Sequence, residues 1–356
     1  MSRFFSSKYS ALEPYVPGEQ PQDMSRYVKL NTNENPFPPS AKALDYAHKN
    51  TRVLNLYSDP MSALLTKAIA KTYNVDPDMV LVSNGSDEIL NFAFMAFTDK
   101  DNPALFADIT YGFYPVFADL NGSPYEAIPL KEDFTLSVDD YIGKKGTVFI
   151  ANPNAPTGVA LPVSEIERLV KSDPNRVVVV DEAYVDFGAQ SCVELVKKYD
   201  NILVFQTFSK SRSFAGGRLG FGFGSKDLIA DLNTIKYSTN PYNVNSLTSA
   251  IGIGILSDEE YTKANCKTII ENRNFTVEAL KSMGFTVLPS CANFIFVSSD
   301  KVEGGLYYRK LKEKGVLVRH FDKKRISNWC RVTIGSRESM EIFIEKTREI
   351  LAEAGN

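Results

Sequence analysis

The chain has 356 residues, of which 44% are hydrophobic and 23% charged, and its formal net charge is −3. This length exceeds what one hydrophobic core usually organises, so we expect two domains. The weak net charge argues against nucleic acid and against an anionic membrane as partners. Because residues 1–10 lack the apolar core of a signal peptide and no apolar stretch could span a bilayer, we expect a cytoplasmic protein.

The chain lacks the residues that metal binding and histidine-dependent hydrolysis usually need. His48 and His320 are its two histidines, which disfavours a zinc site and a Ser-His-Asp triad. No Cys-x-x-Cys pair occurs, and the cysteines are scattered at Cys192, Cys266, Cys291 and Cys330. We therefore expect no metal site and free thiols in a reducing compartment. Lysine, carboxylates, tyrosine and arginine remain for catalysis.

In the first two thirds of the chain, helical patterns alternate with short apolar runs. Residues 1 to about 40 are polar and rich in proline, which predicts an extended arm. The alternation beyond the arm is typical of a mostly parallel sheet covered by helices. Helices are predicted at 62–73, 86–97, 112–120 and 164–171, and strands at 79–82, 104–107, 147–150, 177–181, 202–206 and 219–223.

The pattern changes after about residue 245. Helices are predicted at 259–283 and 337–353, and strands at 285–288, 293–298, 316–320 and 330–334. We expect an α/β fold in three parts: an N-terminal arm (1–40) that packs on the small domain, a large domain (41–245) whose central sheet is sandwiched by helices, and a small α+β domain (246–356).

An acid and a lysine each follow a buried strand of the predicted sheet. Asp181 ends the run 177–180, and Lys210 comes after 202–205 in a turn of small residues. Ligands of parallel α/β sheets bind beyond the carboxyl ends of the strands. A carboxylate can keep a pyridine nitrogen protonated and a lysine can bond an aldehyde, so the pair predicts pyridoxal 5′-phosphate (PLP) as cofactor. Taken singly, Asp181 could cap a helix and Lys210 could be solvated.

Further residues fit the remaining groups of this cofactor. Tyr184 could donate a hydrogen bond to the phenolic oxygen, and Tyr111 could stack on the ring. The segment 84–88 lies between a strand and a helix, where free backbone N–H groups bind anions. Ser209 and Arg218 offer a hydroxyl and a guanidinium to the phosphate.

Several segments together resemble the fold-type-I, class II PLP-dependent aminotransferases, and within that family the histidinol-phosphate aminotransferases. The principal segments are Asn-Pro-Asn-Ala-Pro-Thr-Gly at 152–158, Asp-Glu-Ala-Tyr at 181–184 and Ser-Lys-Ser-Arg-Ser-Phe-Ala-Gly at 209–216. Supporting segments lie at 30–36, 57–60, 84–88 and 330–335. They follow the family's order along nearly the whole chain.

The resemblance implies roles for the cofactor-binding residues. Lys210 would be the catalytic lysine, bonding the cofactor aldehyde and carrying the proton during the reaction. Asp181 would pair with the pyridinium nitrogen, Tyr184 would contact the phenolic oxygen and Tyr111 would stack on the ring. The residues expected to hold the cofactor phosphate are Ser86, Asp87, Ser209 and Arg218.

The resemblance also implies a shared site and a phosphorylated substrate. Tyr57 would reach the cofactor phosphate of a neighbouring subunit, so a homodimer is expected. Tyr15, Arg319 and Arg331 match positions that hold the substrate's phosphate. One position departs from the family, because Ala155 replaces the asparagine that usually precedes Pro-Thr-Gly and contacts the phenolic oxygen. Either Tyr184 makes this contact alone, or Asn154 reaches in.

The implied reaction is transamination between L-histidinol phosphate and 2-oxoglutarate, giving imidazole-acetol phosphate and L-glutamate, in histidine biosynthesis. The alternatives within PLP enzymes are a threonine-phosphate decarboxylase and an aromatic amino-acid aminotransferase. A PLP-binding sensor is disfavoured, since the N-terminal arm is too short and proline-rich for a helix-turn-helix domain. A nicotinamide-binding protein is disfavoured because no Gly-x-Gly-x-x-Gly motif opens a helix after a strand.

Overall fold

The computed structural model describes residues 2–354, which form three sheets and the helices that cover them. The strands are β1 (Val28–Lys29), β2 (Val80–Ser83), β3 (Ala104–Ala107), β4 (Tyr125–Ile128), β5 (Thr147–Ala151), β6 (Val178–Asp181), β7 (Ile202–Thr207), β8 (Gly220–Phe223), β9 (Thr286–Val287), β10 (Phe294–Ser298), β11 (Val316–Leu317), β12 (Arg319–His320) and β13 (Trp329–Thr333). The helices are α1 (Ala41–Asn50), α2 (Ala63–Tyr73), α3 (Ser86–Phe97), α4 (Phe113–Asn121), α5 (Val163–Ser172), α6 (Lys226–Thr239), α7 (Ser246–Leu256), α8 (Glu259–Ser282), α9 (Gly304–Glu313) and α10 (Arg337–Ala354).

The central sheet has seven strands in the order β2-β8-β7-β6-β5-β3-β4. All of its neighbouring strands are parallel except β8, which is antiparallel to both β2 and β7. The carboxyl ends of β5, β6 and β7 therefore meet at one edge, where ligands of such sheets bind. This arrangement confirms the predicted α/β fold.

Both faces of the central sheet are buried, as the continuous apolar strands require. Successive side chains of a strand point to opposite faces. In β6, Val178 and Val180 join one apolar cluster, while Val179 joins another with Leu203 and Phe205 of the neighbouring strand. The strands are thus held rigidly, and their ends can fix the position of polar side chains.

A second sheet, antiparallel and in the order β12-β13-β10-β9, is surrounded by its own apolar cluster. The N-terminal segment joins this part of the molecule, because β1 pairs with β11 and the Thr333 amide donates to the Leu30 carbonyl at 2.9 Å. The division into an arm and two domains at residues 40 and 245 stays a prediction. Within residues 2–354, no helix is both long and apolar enough to cross a membrane.

The structure corrects several predicted elements. The single strand predicted at 316–320 is two short strands, since β11 pairs with β1 whereas β12 pairs with β13. Helices α1, α6, α7 and α9, the short strand β1 and the edge strand β4 were absent from the prediction. Helix α7 contains two glycines and is apolar on most sides, so it lacks helical periodicity. Three of the four β4 residues are exposed, which hides the apolar run expected of a strand.

Candidate active site

A cavity of about 360 Å³ lies at the edge of the central sheet where β6 and β7 end. It brings together most of the residues predicted for the site, although they come from distant parts of the sequence. Those lining it are Tyr15, Ser86, Asp87, Tyr111, Asp181, Tyr184, Ser209, Lys210, Arg218, Arg319 and Arg331. We call this the central cavity. Tyr57 and Asn154 are not among its lining residues.

Asp181 is the last residue of β6 and is 7% exposed. Its Oδ1 accepts a hydrogen bond from the Ala183 amide at 3.0 Å. The pKa of this carboxyl is raised from its usual 3.8 to about 7, mainly by burial. The nearby Asp87 and Glu182 carboxylates contribute to the rise, while the Ala183 bond and Lys210 oppose it. A carboxylate held in this way is stabilised by any cation that enters the cavity.

Lys210 lies three residues after the end of β7, in the turn that leads to β8. Its Nζ donates to the Thr32 carbonyl at 3.2 Å. The pKa of the Lys210 amine is lowered to about 8, mainly by burial. The positive charge of Arg331 contributes to this shift, while Asp87 and Glu34 oppose it. A substantial fraction of the amine is therefore uncharged near neutral pH, which is the form that attacks a carbonyl carbon.

The start of α3 forms an anion-binding end of the central cavity. Ser86 and Asp87 are the first residues of the helix, so their N–H groups have no acceptor within the helix. Gly85 precedes them with a φ of 78°, in the left-handed region that glycine adopts without strain. Gly220 in β8 lets the two backbones touch, since a Cβ there would lie 2.5 Å from the Ser86 nitrogen.

Three side chains, those of Arg218, Tyr111 and Ser209, reach this end of the cavity from neighbouring elements. Arg218 Nη2 lies 3.4 Å from Asp87 Oδ2, and the Tyr111 hydroxyl donates to Asp87 Oδ1 at 2.8 Å. The Asp87 carboxylate is therefore occupied by protein partners, and its contribution to an anion is its backbone N–H. Ser209 Oγ accepts a hydrogen bond from Thr207 Oγ1 at 2.9 Å. The guanidinium, the hydroxyl and the helix start together suit a phosphate.

Arg331 lies on β13 and brings a second cationic region to the central cavity. Its Nη2 donates to the Asn31 carbonyl at 3.1 Å, while its buried Nε has no hydrogen-bond partner within the described part of the chain. The guanidinium also lies over the rings of Phe294 and Phe321, at 5.3 and 5.7 Å from their centroids. Burial lowers the pKa of Arg331, so an anionic ligand would relieve the cost of burying this charge.

Arg319 and Tyr15 lie beside this region. Arg319 donates to the carbonyls of Val16 and Pro17 at 3.0 and 3.2 Å, which ties it to the N-terminal segment. The ring of Tyr15 stacks on Phe113 with centroids 4.2 Å apart. The cavity lining carries four cationic and three carboxylate side chains, and two of these carboxylates are already paired, Asp87 with Arg218 and Glu34 with Lys29. The remaining charge balance favours an anionic ligand.

Tyr57 and Asn154 lie elsewhere. The Tyr57 side chain is 84% exposed and its ring stacks on Tyr242 at 4.7 Å, on the outer surface of this chain. The Asn154 amide donates to the Ile109 carbonyl at 3.0 Å and accepts from Thr110 Oγ1 at 2.7 Å. These bonds satisfy the amide outside the cavity. Ala155 lines the cavity instead.

Several residues of the central cavity were missed as site residues, among them three consecutive polar residues of the N-terminal segment. Thr32, Asn33 and Glu34 all line it, and Asn33 donates from its Nδ2 to the Tyr184 hydroxyl at 2.9 Å. They belong to the segment 30–36 that carried part of the family resemblance, but this segment lies in a proline-rich arm with no regular pattern. The contact spans 151 positions of sequence, so periodicity could not reveal it.

Comparison with known proteins defines the class. The family model for class I and II aminotransferases matches residues 25–346. A histidinol-phosphate aminotransferase of Clostridium botulinum (strain 657 / Type Ba4) is 47% identical over 352 residues, which cover 99% of both chains. The chain belongs to the class I and II aminotransferase family, and it is a PLP-dependent transferase.

Solved structures agree on the fold. The histidinol-phosphate aminotransferase of Sinorhizobium meliloti in complex with pyridoxal-5′-phosphate has a TM-score of 0.89 at 19% identity, covering 99% of each chain. The L-threonine-O-3-phosphate decarboxylase of Porphyromonas gingivalis has a TM-score of 0.77 at 21% identity, covering 91% of this chain and 99% of that one. Since both share the fold, the fold does not separate the two reactions.

Proposed function

We propose that this enzyme transfers the amino group of L-histidinol phosphate to 2-oxoglutarate, and catalyses the reverse reaction with L-glutamate as donor, as a step of histidine biosynthesis. The observation that carries the proposal is Arg331, a partly buried arginine that lines the central cavity and whose buried Nε has no hydrogen-bond partner within the described part of the chain. It supplies a second cationic region besides the one formed by Arg218 and the start of α3. A substrate with its own phosphate suits this second region.

The residues of the central cavity fit PLP. In this proposal Asp181 pairs with the pyridinium nitrogen, Tyr111 covers the ring and Tyr184 donates to the phenolic oxygen. Ser209, Arg218 and the first N–H groups of α3 hold the cofactor phosphate. The opposite charges of Asp181 and the ring nitrogen would compensate each other, which removes the cost of an isolated carboxylate in a buried site.

When bound, PLP supplies an electron sink that stabilises negative charge at the amino-bearing carbon of the substrate. The protein's part is to bind, orient and move protons. We propose that the Lys210 amine would hold the cofactor before substrate enters. Once the substrate amine has taken its place, the freed Lys210 amine would carry a proton between two carbon atoms as general base and acid. Its pKa of about 8 leaves both protonation states populated near neutral pH, as this role requires.

The substrate end of the proposal involves Arg319, Arg331 and Tyr15. Two guanidinium groups can form several charge-assisted hydrogen bonds to a phosphate. Arg319 is bonded to the carbonyls of Val16 and Pro17, so the N-terminal segment would hold this arginine ready for the ligand. The same pair could bind the carboxylate of glutamate in the second half of the reaction.

We propose that the enzyme is a homodimer in which Tyr57 completes the partner's site. The support is a run of exposed apolar side chains around Tyr57, which a monomer would leave in water. They are Val53, Leu54, Leu56, Met61 and Leu64, of which Leu64 is 74% exposed. The cytoplasmic location stays a prediction from the sequence.

Spectroscopy of the purified enzyme tests the cofactor part of the proposal. We expect visible absorbance from bound PLP, which L-histidinol phosphate abolishes and 2-oxoglutarate restores. In Lys210→Ala this absorbance changes and transamination falls by several orders of magnitude, since no other amine replaces Lys210. Lys281→Ala, at an exposed lysine of α8, is the matched control and should behave as the wild type. Normal turnover by Lys210→Ala would contradict the proposal.

Product analysis distinguishes the alternative reactions. A threonine-phosphate decarboxylase would release carbon dioxide from threonine phosphate without consuming 2-oxoglutarate. An aromatic amino-acid aminotransferase would prefer phenylalanine or tyrosine to L-histidinol phosphate when the substrates compete. We do not expect the second result, because the cationic region at Arg319 and Arg331 favours a substrate that carries a phosphate over phenylalanine or tyrosine. We do not expect the first, because the relative that is 47% identical over 99% of both chains is a histidinol-phosphate aminotransferase.

A further inference from the structure

Asn33 occupies a strained and fully enclosed position in the wall of the central cavity. It is 1% exposed, and its φ of 58° lies in the left-handed region that few residues other than glycine and asparagine adopt. Both the N–H and the carbonyl of the Asn33 backbone form hydrogen bonds with side chains. The Asn33 amide donates to Thr333 Oγ1 at 2.9 Å, and its carbonyl accepts from Asn293 Nδ2 at 3.0 Å.

The hydrogen bonds of Thr333 also determine which way the Asn33 side chain faces. Thr333 Oγ1 accepts from the Asn33 backbone N–H and donates its own proton to Asn33 Oδ1, at 3.0 Å. With Oδ1 taken by this donor, Asn33 Nδ2 faces the Tyr184 hydroxyl at 2.9 Å and donates to it. The Thr333 hydroxyl thus fixes the orientation of the Asn33 side-chain amide, whose other end donates a hydrogen bond to Tyr184.

This donor constrains the proton of Tyr184. A phenolic hydroxyl has one proton to donate, and it accepts through its lone pairs. Because Asn33 already donates to the oxygen, the proton of Tyr184 is left for an acceptor on another side. Tyr184 lines the central cavity and its ring packs edge-on against Phe294 at 4.9 Å, which supports the ring in this position.

The importance of this arrangement follows from the two residues before Pro-Thr-Gly. Ala155 lines the cavity but has no side-chain donor, and the Asn154 amide is bonded to Ile109 and Thr110 outside the cavity. We propose that Asn33 is a positioning residue that aims the Tyr184 hydroxyl proton into the central cavity, toward the phenolic oxygen of the cofactor. The inference rests on the proposed PLP site.

The pH dependence of the bound cofactor's visible absorbance reports on this contact. The phenolic oxygen of the cofactor helps to hold a proton on the neighbouring nitrogen through which Lys210 would bind the cofactor. A hydrogen bond donated to that oxygen weakens this hold and lowers the pKa of the nitrogen. Loss of the donor should therefore raise the pH midpoint of the absorbance change. A hydrogen bond worth about 1.4 kcal/mol corresponds to about one pH unit. We expect a rise of about this size in Tyr184→Phe.

Asn33→Gly removes the amide and keeps the left-handed backbone, which glycine adopts without strain. The backbone bonds to Thr333 and Asn293 remain available. We expect its midpoint to rise by most of the shift seen in Tyr184→Phe. The double variant should match Tyr184→Phe alone, because both changes remove one contact. Asn33→Asp, which replaces the donor by an acceptor that draws the Tyr184 proton away, should also raise the midpoint.

Asn74→Gly is the matched control, since Asn74 also has a positive φ, 51°, but caps the end of α2 away from the cavity. Its midpoint should equal that of the wild type. A Tyr184→Phe shift without a shift in Asn33→Gly, or shifts that add in the double variant, would overturn the positioning role alone. An unchanged midpoint in Tyr184→Phe would overturn it as well, because Tyr184 would then make no contact to aim. A wild-type enzyme without PLP absorbance would instead refute the proposed function.

Discussion

Replacing Asp181 by asparagine should stabilise the cofactor-free protein while weakening its affinity for PLP. The side chain is 7% exposed, and burial raises its pKa from 3.8 to about 7. The folded protein therefore holds this proton more tightly than the unfolded chain does. The contribution of the protonated Asp181 carboxyl to the free energy of unfolding is fully present below pH 4, and it is lost as the pH rises to about 7.

The size of the effect follows from the pKa difference. At 1.36 kcal/mol for each pKa unit, a rise from 3.8 to about 7 corresponds to roughly 4 kcal/mol. The asparagine side chain of the variant would keep the shape and lose the charge, but its amide needs hydrogen bonds of its own. We therefore expect Asp181→Asn to raise the free energy of unfolding of the cofactor-free protein by about 2–4 kcal/mol at pH 8, and by little at pH 4.

Urea unfolding of cofactor-free protein across pH 4–8, with and without PLP, measures both effects. Added PLP should stabilise the wild type more than the variant, because stabilisation by a ligand grows with its affinity for the folded state. Asp231→Asn, at an exposed position of α6, should change stability by less than about 0.5 kcal/mol. A cofactor-free variant less stable than the wild type at pH 8, or a difference independent of pH, would refute this reasoning.

Three further predictions concern the other charged and apolar groups. Arg331→Met should lower kcat/KM for L-histidinol phosphate by about 100-fold or more, because charge-assisted bonds to the substrate are lost. The urea midpoint of this variant should be unchanged or higher, since the substitution removes a buried charge. A lower midpoint would contradict this expectation for stability. Asp186→Ala should cost about 2–3 kcal/mol in urea unfolding, because Arg212 Nη1 lies 2.9 Å from Asp186 Oδ2 and would lose its counter-ion; an unchanged midpoint would contradict this. Leu64→Asp should convert the proposed dimer to monomers in sedimentation, and dimers of this variant that persist at low concentration would contradict the proposed interface.

The sequence predicted the central sheet and its edge well because both depend on local patterns. The buried strands β5, β6 and β7 are continuous apolar runs, and each begins and ends within one or two residues of its prediction. Asp181 and Lys210 could be recognised because Asp181 ends such a strand and Lys210 follows another after a short turn. Their meeting in one cavity follows from parallel pairing of β6 and β7.

Contacts between distant irregular segments could not be predicted in this way. Asn33 meets Tyr184 and Thr333 only because the N-terminal segment pairs with β11 and β13 lies beside Leu30. Asn154 illustrates the converse. It is next to the position the family uses, but nearby Thr110 and Ile109 offered its amide hydrogen bonds outside the cavity. Neither outcome is visible from spacing, since both are set by tertiary packing.

The proposed function requires that this site recognises the phosphate of its amino substrate. The most direct test compares kcat/KM for L-histidinol phosphate with kcat/KM for L-histidinol, which differs only by that group. Arg319 and Arg331 can each supply charge-assisted bonds of about 1.5–3 kcal/mol, so we expect a preference of about 100-fold to 10,000-fold for the phosphorylated substrate. Equal values for the two substrates would contradict the claim.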